Sequence, residues 1–549
     1  MLKENLVKEI EQSIIRNWSY PAFSDYGKAS LTYADVASRI RWFHHVFEDC
    51  RIGPGDKIAL IGKNSANWAM TYLGVISYGA VIVPILPDFH PDEIAHIIRH
   101  SESVFVFAAD GIFNALDAAL MPDVQAFFSL EDFTPLFQRN EKLGEVLEKA
   151  TISCLESGRS TSSEFSLKSV ENPQLSSIVY TSGTTGFSKG VMLSHNSLMA
   201  NVRFARTYMP LKQGDRIVSF LPLAHAFGCA FDFLFPFIVG CHITFLKKIP
   251  SPSVVVKAFQ EIQPHLVMTV PLVVEKIYKN HIKDKLNNAK VRFLLKLPVV
   301  NRLILKKFND RLSQVFGNHF YEVVIGGAAL EEEVDRFLKK IGFRYTIGYG
   351  LTECGPLISY APSSGHRIGA VGRLVDTLEL KIDSQDPALE PGEILVRGEN
   401  VMDGYYKNRE ATAEAIDAQG WLHTGDLGLL DADGFIHIKG RSKNMILGPS
   451  GQNIYPEEIE SRLNGMDYVE ESLVIESGDK LVALVRPDYE RFRTHGVDES
   501  KLTEIMEKSR KELNSRLPAY SGISRIQIHS EEFEKTPTKK IKRRLYRTV

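Results

Sequence analysis

The run YTSGTTGFSKG at residues 180–190 constrains this chain more than any other segment. Three glycines, five Ser/Thr hydroxyls and one lysine fall within a single short stretch. Glycines let backbone N–H groups come close to oxygen, hydroxyls donate further bonds, and Lys189 adds a mobile positive charge. Together these suit a loop that wraps a polyphosphate. The Walker spacing GxxxxGK[ST] is absent, and the flanks also differ from a Walker loop. Residues 177–180 (SIVY) read as a strand. Residues 191–193 (VML) resume extended structure before a helix begins near Ser194 or His195. A Walker loop runs directly into a helix N-terminus, whereas this one joins two strands and is expected to lie as a flap over phosphates.

The 549 residues hold about three or four domain-sized units. A formal net charge of −2 implies no general affinity for nucleic acid. Cys50, Cys154, Cys229, Cys241 and Cys354 are scattered without a CxxC pair, which argues against a zinc site or a disulfide framework and fits a reducing, cytoplasmic setting. The N-terminus is amphipathic and charged and lacks the apolar core of a signal peptide. Asp232, Pro236 and His242 interrupt the longest apolar stretch, 227–246, so it reads as buried core rather than a membrane span.

Apolar runs alternate with helical patterns, the mark of an α/β chain. Strands are expected at 57–61, 103–108, 265–270 and 321–325, with a polar link at 153–169. Residues 378–382, 393–397 and 435–439 suggest a smaller β-rich subdomain. Beyond Arg441 the pattern becomes helix (456–463), two strands (471–475, 480–485), helix (501–517), strand (524–529) and a basic tail. The expected division is therefore 1–442 and 443–549.

Several motifs follow the 180–190 loop in order. Gly326-Gly327-Ala328 ends the strand at 321–325, where small residues let a flat ring lie against backbone. In Tyr349-Gly350-Leu351-Thr352-Glu353, the tyrosine can stack on a base, the threonine can donate to a phosphate, and Glu353 offers a hard carboxylate to Mg²⁺. Thr424-Gly425-Asp426, Gly440-Arg441-Ser442-Lys443 and the tail Lys535-Thr536-Pro537-Thr538-Lys539-Lys540-Ile541-Lys542-Arg543 complete the set. In this order and over essentially the whole chain, these strings resemble the adenylate-forming (AMP-binding) superfamily, and within it the long-chain fatty acid–CoA ligases.

The resemblance implies a large N-terminal domain of layered α/β subdomains with a small β-rich subdomain, and a small mobile C-terminal α+β domain. It assigns ATP and AMP binding to Thr181, Ser182, Gly183, Thr184, Thr185, Gly186, Lys189, Gly327, Ala328, Tyr349, Thr352, Asp426, Arg441 and Lys540. Asp426 and Arg441 would hold the ribose, Glu353 and Thr181 the metal, and Lys540 would act as the catalytic lysine with Thr352, Glu353 and His225. Two departures stand out: Lys539 occupies a position where the family usually has glycine, and Phe533-Glu534 replaces the common Leu-Pro. The implied chemistry has two halves. A carboxylate attacks the α-phosphorus of MgATP and releases pyrophosphate; a thiol then takes the acyl group and AMP leaves. Lys443 would sit at the hinge that turns the small domain between these steps, and Gly451 would let the pantetheine arm of CoA pass close to backbone.

Leu221-Pro222-Leu223-Ala224-His225 resembles the family motif whose histidine lies beside the acyl carboxylate; a buried, hydrogen-bonded histidine is an equal reading. Val270-Pro271 followed by Glu275-Lys276-Ile277-Tyr278 resembles the long-chain branch, so the expected partners are a fatty acid, ATP and CoA. An acyl carrier protein acting in trans is the alternative acceptor. Asp232 is the one carboxylate near this segment that an amino-acid substrate would call on, and it has no evident place in a pocket. Residues 276–311 are basic and amphipathic, which fits either a peripheral membrane contact or a solvated helical face. Oligomeric state is not legible here.

Overall fold

The computed structural model describes residues 1–549 except 158–160, 182–187, 248–251, 449–451, 479, 537–539 and 547–549; the side chains of 154–157, 252 and 281 also lie outside the described set. The largest sheet has eight strands, in the order Gly404–Tyr405, Lys189–Ser194, Leu175–Thr181, Val81–Ile85, Lys57–Ile61, Ser103–Ala108, Ala126–Ser129 and Pro135–Gln138. Its central strands pair in parallel. Parallel strands with both faces covered read as unbroken apolar runs, as in KIALI, VIVPI and SVFVFA. Helices such as Tyr33–Asp49 and Ala66–Tyr78 supply the cover.

Two further sheets make a second lobe. One joins Arg216–Ser219, His242–Phe245, Pro21–Asp25 and Leu31–Thr32; the other is a parallel set of Leu266–Thr269, Glu322–Ile325 and Tyr345–Ile347. The carboxyl ends of four strands, at Thr181, Ser219, Thr269 and Ile325, open onto one cleft, the usual ligand side of an α/β sheet. Glycine is required at one position there and leaves room for a ring at another. A Cβ on Gly350 would lie 2.0 Å from the Pro356 carbonyl oxygen, so only glycine lets the segment carrying Thr352 and Glu353 fold back on itself. A Cβ on Gly326 would stand 3.1 Å from the Phe227 ring, which lies over that backbone.

Residues 227–246 form buried helical turns, including the π-helix Cys229–Leu234 and the helix Phe235–Val239, followed by the strand His242–Phe245. Among the described residues no helix is long and apolar enough to cross a membrane. Cys50, Cys229, Cys241 and Cys354 are free thiols; the Cys154 side chain lies outside the described set.

The β-rich region is an antiparallel sheet of Leu378–Asp383, Gly392–Gly398, Leu422–Leu430 and Ile436–Arg441. No strand was expected at Leu422–Leu430, which becomes one by pairing with Gly392–Gly398 on one side and Ile436–Arg441 on the other. The polar link expected at 153–169 is also corrected: the helix Leu143–Ser157 runs into its first residues. At the C-terminal end, Val469–Ser477, Lys480–Pro487 and Ile523–Ile528 form a sheet packed on the helices Pro456–Asn464 and Leu502–Asn514. Its core of Leu463, Val474, Leu513 and Ile523 is separate from that of the larger sheets.

Candidate functional site

A cleft of about 2680 Å³ runs between the large lobes, the β-rich sheet and the C-terminal sheet. Its charged end is built on one cross-strand pair. Asp426 and Arg441 stand directly opposite each other in the antiparallel register, and the Arg441 guanidinium meets Asp426 Oδ1 at 2.8 Å. Tyr349 donates its hydroxyl to Asp426 Oδ2 at 2.7 Å. The strand here is held by Thr424, whose hydroxyl donates to the Ile394 carbonyl at 2.7 Å and accepts from the Asp426 N–H at 3.1 Å. Burial raises the Asp426 carboxyl above its ordinary range, against the opposing pull of Arg441, Tyr349 and Lys540.

Tyr349 was expected to offer its ring to a base. Its ring does line the cleft, but its hydroxyl is committed to Asp426, so it also orients the carboxylate expected to hold the ribose. Gly327 and Ala328 line the same wall, and Gly327 has φ +90°, a left-handed conformation that favours glycine. Thr352 is buried and Glu353 half-buried on the adjoining segment. Glu353 Oε1 accepts from the Tyr405 hydroxyl at 2.9 Å, and the Lys189 ammonium lies 4.8 Å from the centre of the Tyr405 ring. Tyr405 thus links the lysine of the glycine-rich loop to the carboxylate expected to bind metal. Sequence reasoning missed it, since an aromatic in Val401-Met402-Asp403-Gly404-Tyr405 carries no motif of its own. Thr181 donates to the Lys189 carbonyl at 3.5 Å where the two loop strands part. Ser182, Gly183, Thr184, Thr185 and Gly186, expected to cradle phosphate, lie outside the described residues, as does Gly451.

Lys540 enters the cleft from the C-terminal tail. Its backbone and Thr536 bond reciprocally, with Thr536 N–H donating to the Lys540 carbonyl at 2.8 Å and Lys540 N–H to Thr536 Oγ1 at 3.2 Å. The side chain is open to the solvent of the cleft but walled by protein. That enclosure and Arg441 lower its ammonium pKa, while Asp426 and Glu353 oppose the shift. His225 lines the same cleft, its Nδ1 accepting from the Phe227 N–H at 3.3 Å. Burial, then the nearby Lys540 charge, pushes it down to about 4, so it is neutral near pH 7. Lys443 lies in the turn Ser442–Asn444 immediately after Arg441 and also lines the cleft. Asp232 is fully buried and is not among the residues that line the cleft.

The structure therefore brings residues from eight separate chain segments to one cavity. The profile of the AMP-binding enzyme family matches residues 11–406. The chain belongs to that family. It is 28% identical to the long-chain-fatty-acid–CoA ligase FadD15 of Mycobacterium bovis, over 94% of this chain and 90% of that protein. It is 26% identical to the chloroplastic long-chain-fatty-acid–acyl-carrier-protein ligase AEE15 of Arabidopsis thaliana, over 86% of this chain and 74% of that one. In fold it matches the crystal structure of the anthranilate CoA ligase AuaEII in complex with anthranoyl-AMP, with a TM-score of 0.79 and 21% identity over 99% of this chain and 97% of that one.

Replacing Tyr349 with phenylalanine keeps the ring and leaves Asp426 Oδ2 without its hydroxyl donor. A lost bond to a charged acceptor is worth about tenfold or more in affinity. The expected result for Tyr349→Phe is a rise of that size in KM for ATP, with little change in KM for the acid, read by pyrophosphate release.

Proposed function

We propose that this AMP-binding enzyme activates a long-chain fatty acid as its acyl adenylate and then transfers the acyl group to the thiol of CoA. The observation that carries the reading is the placement of Lys540 near Asp426, Arg441 and Glu353, in a cleft that apolar side chains also line. In the first step a carboxylate oxygen of the acid attacks the α-phosphorus of ATP, and the bond to pyrophosphate breaks. Lys540 bridges the incoming carboxylate and the α-phosphate, while Asp426 and Arg441 fix the ribose. The protein contributes position and charge neutralisation. Glu353, with the Thr181 hydroxyl, offers the sparse oxygen donor set that suits Mg²⁺ arriving with a polyphosphate, since that ion binds through one or two carboxylates plus substrate phosphates. Its role is to neutralise phosphate charge. Among the described residues no group of three His, Cys, Asp or Glu makes a closed metal site, in keeping with an ion brought in by its nucleotide.

In the second step the thiol sulfur attacks the acyl carbonyl and the bond to AMP breaks. A bulky thiol arm and Lys540 cannot share the mouth of the cleft, so the 443–549 unit turns about Lys443 between the steps. Support for a fatty acid comes from the apolar side chains Phe220, Phe227, Phe231, Val255, Phe259 and Val270 that line part of the cleft. Asp232, the carboxylate that an amino-acid substrate would call on, is sealed in the core.

A membrane-facing surface accompanies this reading. The helices Ala289–Leu294 and Pro298–Val315 expose Phe293 (64%), Val299 (74%) and Leu303 (65%) among the exposed cations Lys290, Arg292, Lys296, Arg302 and Lys306. Apolar and basic groups side by side suit an anionic lipid surface, where a long-chain acid resides.

Lys540→Ala is expected to abolish ATP–pyrophosphate exchange yet spare thioester formation from supplied acyl adenylate; loss of both would remove Lys540 from the first step alone. Substrate and acceptor are tested together by following AMP release across saturated acids of increasing length, with CoA and with holo-acyl carrier protein. Fastest turnover with long acids and CoA is expected, and a preference for the carrier would overturn CoA as acceptor. Flotation with phosphatidylglycerol-containing vesicles should exceed that with phosphatidylcholine alone, and Phe293→Asp should cut it; equal flotation would count against a lipid contact.

A further inference from the structure

The basic stretch after Pro271 is not uniform. Lys279 and Lys283 turn inward, away from the exposed cations that follow them. The Lys279 ammonium donates to the Asn464 carbonyl and pairs with Glu331 at 2.9 Å. The Lys283 ammonium donates to the Gly465 carbonyl at 2.6 Å, pairs with Asp467 at 3.3 Å and meets Glu333 at 3.6 Å; its side chain is only 9% exposed. Asn464 and Gly465 end the helix Pro456–Asn464, where unpaired carbonyls and the helix dipole favour a cation. Charge also crosses in the other direction. Arg491, from the helix Tyr489–Thr494, pairs with Asp284 and reaches the Lys279 carbonyl at 3.4 Å, and His495 meets Asp284 at 3.2 Å.

The gripped helix leads to the active lysine. Near its middle, Glu460 pairs with Arg543, three residues from Lys540. At its start Glu457 accepts from the Asn444 amide at 2.6 Å, and Glu458 from Lys439 at 3.0 Å, both close to the hinge residue Lys443. One rigid rod therefore touches the hinge, the lysine-bearing tail and the two inward lysines.

We propose that Lys279 and Lys283 are positioning residues, a latch on the end of the helix Pro456–Asn464 that holds Lys540 in the cleft for adenylate formation and releases it for thiol transfer. Release would take from Lys283 both Gly465 and Asp467 while Glu333 remains, and would leave Lys279 paired with Glu331. Each lysine keeps a counter-charge in either position, as a reversible contact requires. The inference rests on the reading of Lys540 as the residue of the first half-reaction.

The test separates the half-reactions in full-length protein. Lys283→Met, Lys279→Met and, on the solvent side of the contact, Asp284→Ala are compared with wild type and Lys540→Ala. ATP–pyrophosphate exchange is measured with the fatty acid that exchanges fastest, and thioester formation from its synthetic adenylate with the wild type's preferred acceptor. Expected is a loss of exchange of about tenfold for Lys283→Met, a smaller loss for Asp284→Ala, unchanged or faster thioester formation in both, and recovery of exchange in Lys283→Arg. Equal losses in both half-reactions, or no loss of exchange in any latch variant, would overturn the latch. If Lys540→Ala itself kept exchange, the reading beneath the proposal would fail instead, independently of the latch variants.

Discussion

A buried carboxylate, Asp426, organises the site. It is taken out of water at the junction of the β-rich sheet and the cleft, and burial alone pushes it toward its neutral form. The ion pair with Arg441 and the Tyr349 hydroxyl oppose that shift and keep it usable as an acceptor. Each of these partners has a second task. Arg441 ends the last strand of its sheet and begins the turn containing Lys443, and Tyr349 begins the segment that presents Thr352 and Glu353. Holding the carboxylate therefore fixes the relative positions of Arg441, the Tyr349–Glu353 segment and the turn containing Lys443.

Lys540 makes that arrangement conditional. Loss of hydration in the cleft, then the like charge of Arg441, disfavours its ammonium, while Asp426 and Glu353 oppose that shift. A substrate carboxylate and an α-phosphate would supply the missing negative charge between Lys540 and Arg441. In the proposed mechanism, bound nucleotide and acid would thus favour the docked position, and loss of pyrophosphate would weaken that preference as the first step ends. Neutral His225 adds no positive charge to this crowded corner.

Much of this was legible in the residues. Short strings such as Tyr349–Glu353, Thr424–Asp426 and Gly440–Lys443 are dense in chemistry, and each backbone constraint within them, such as the Gly350 approach to Pro356, permits few residues. The central strands were legible for a different reason, as doubly covered parallel strands must be apolar throughout. What escaped was set by tertiary context. Tyr405 matters only because a two-residue strand brings it against the loop strand Lys189–Ser194. Leu422–Leu430 is a strand although its composition suggests a loop, because neighbours on both sides pair with it. Lys279 and Lys283 were indistinguishable from the solvent-facing lysines beyond them, since the partner surface arrives from some 180 residues away in the chain.

The chemistry of that partner surface suits the proposed release. An apolar seam between the two units would bury its area once and resist separation, with exposed apolar surface costing about 25 cal/mol per Å² on release. Interdigitated charges behave differently: on separation each ammonium and carboxylate regains hydration, which offsets most of the lost Coulomb attraction. Backbone carbonyls at a helix end are equally at ease with water or with lysine. The docked and released states can then lie within a few kcal/mol of each other, close enough for nucleotide charge at Lys540 to decide between them. The contact proposed to steady the lysine is thus built from groups that would let it leave.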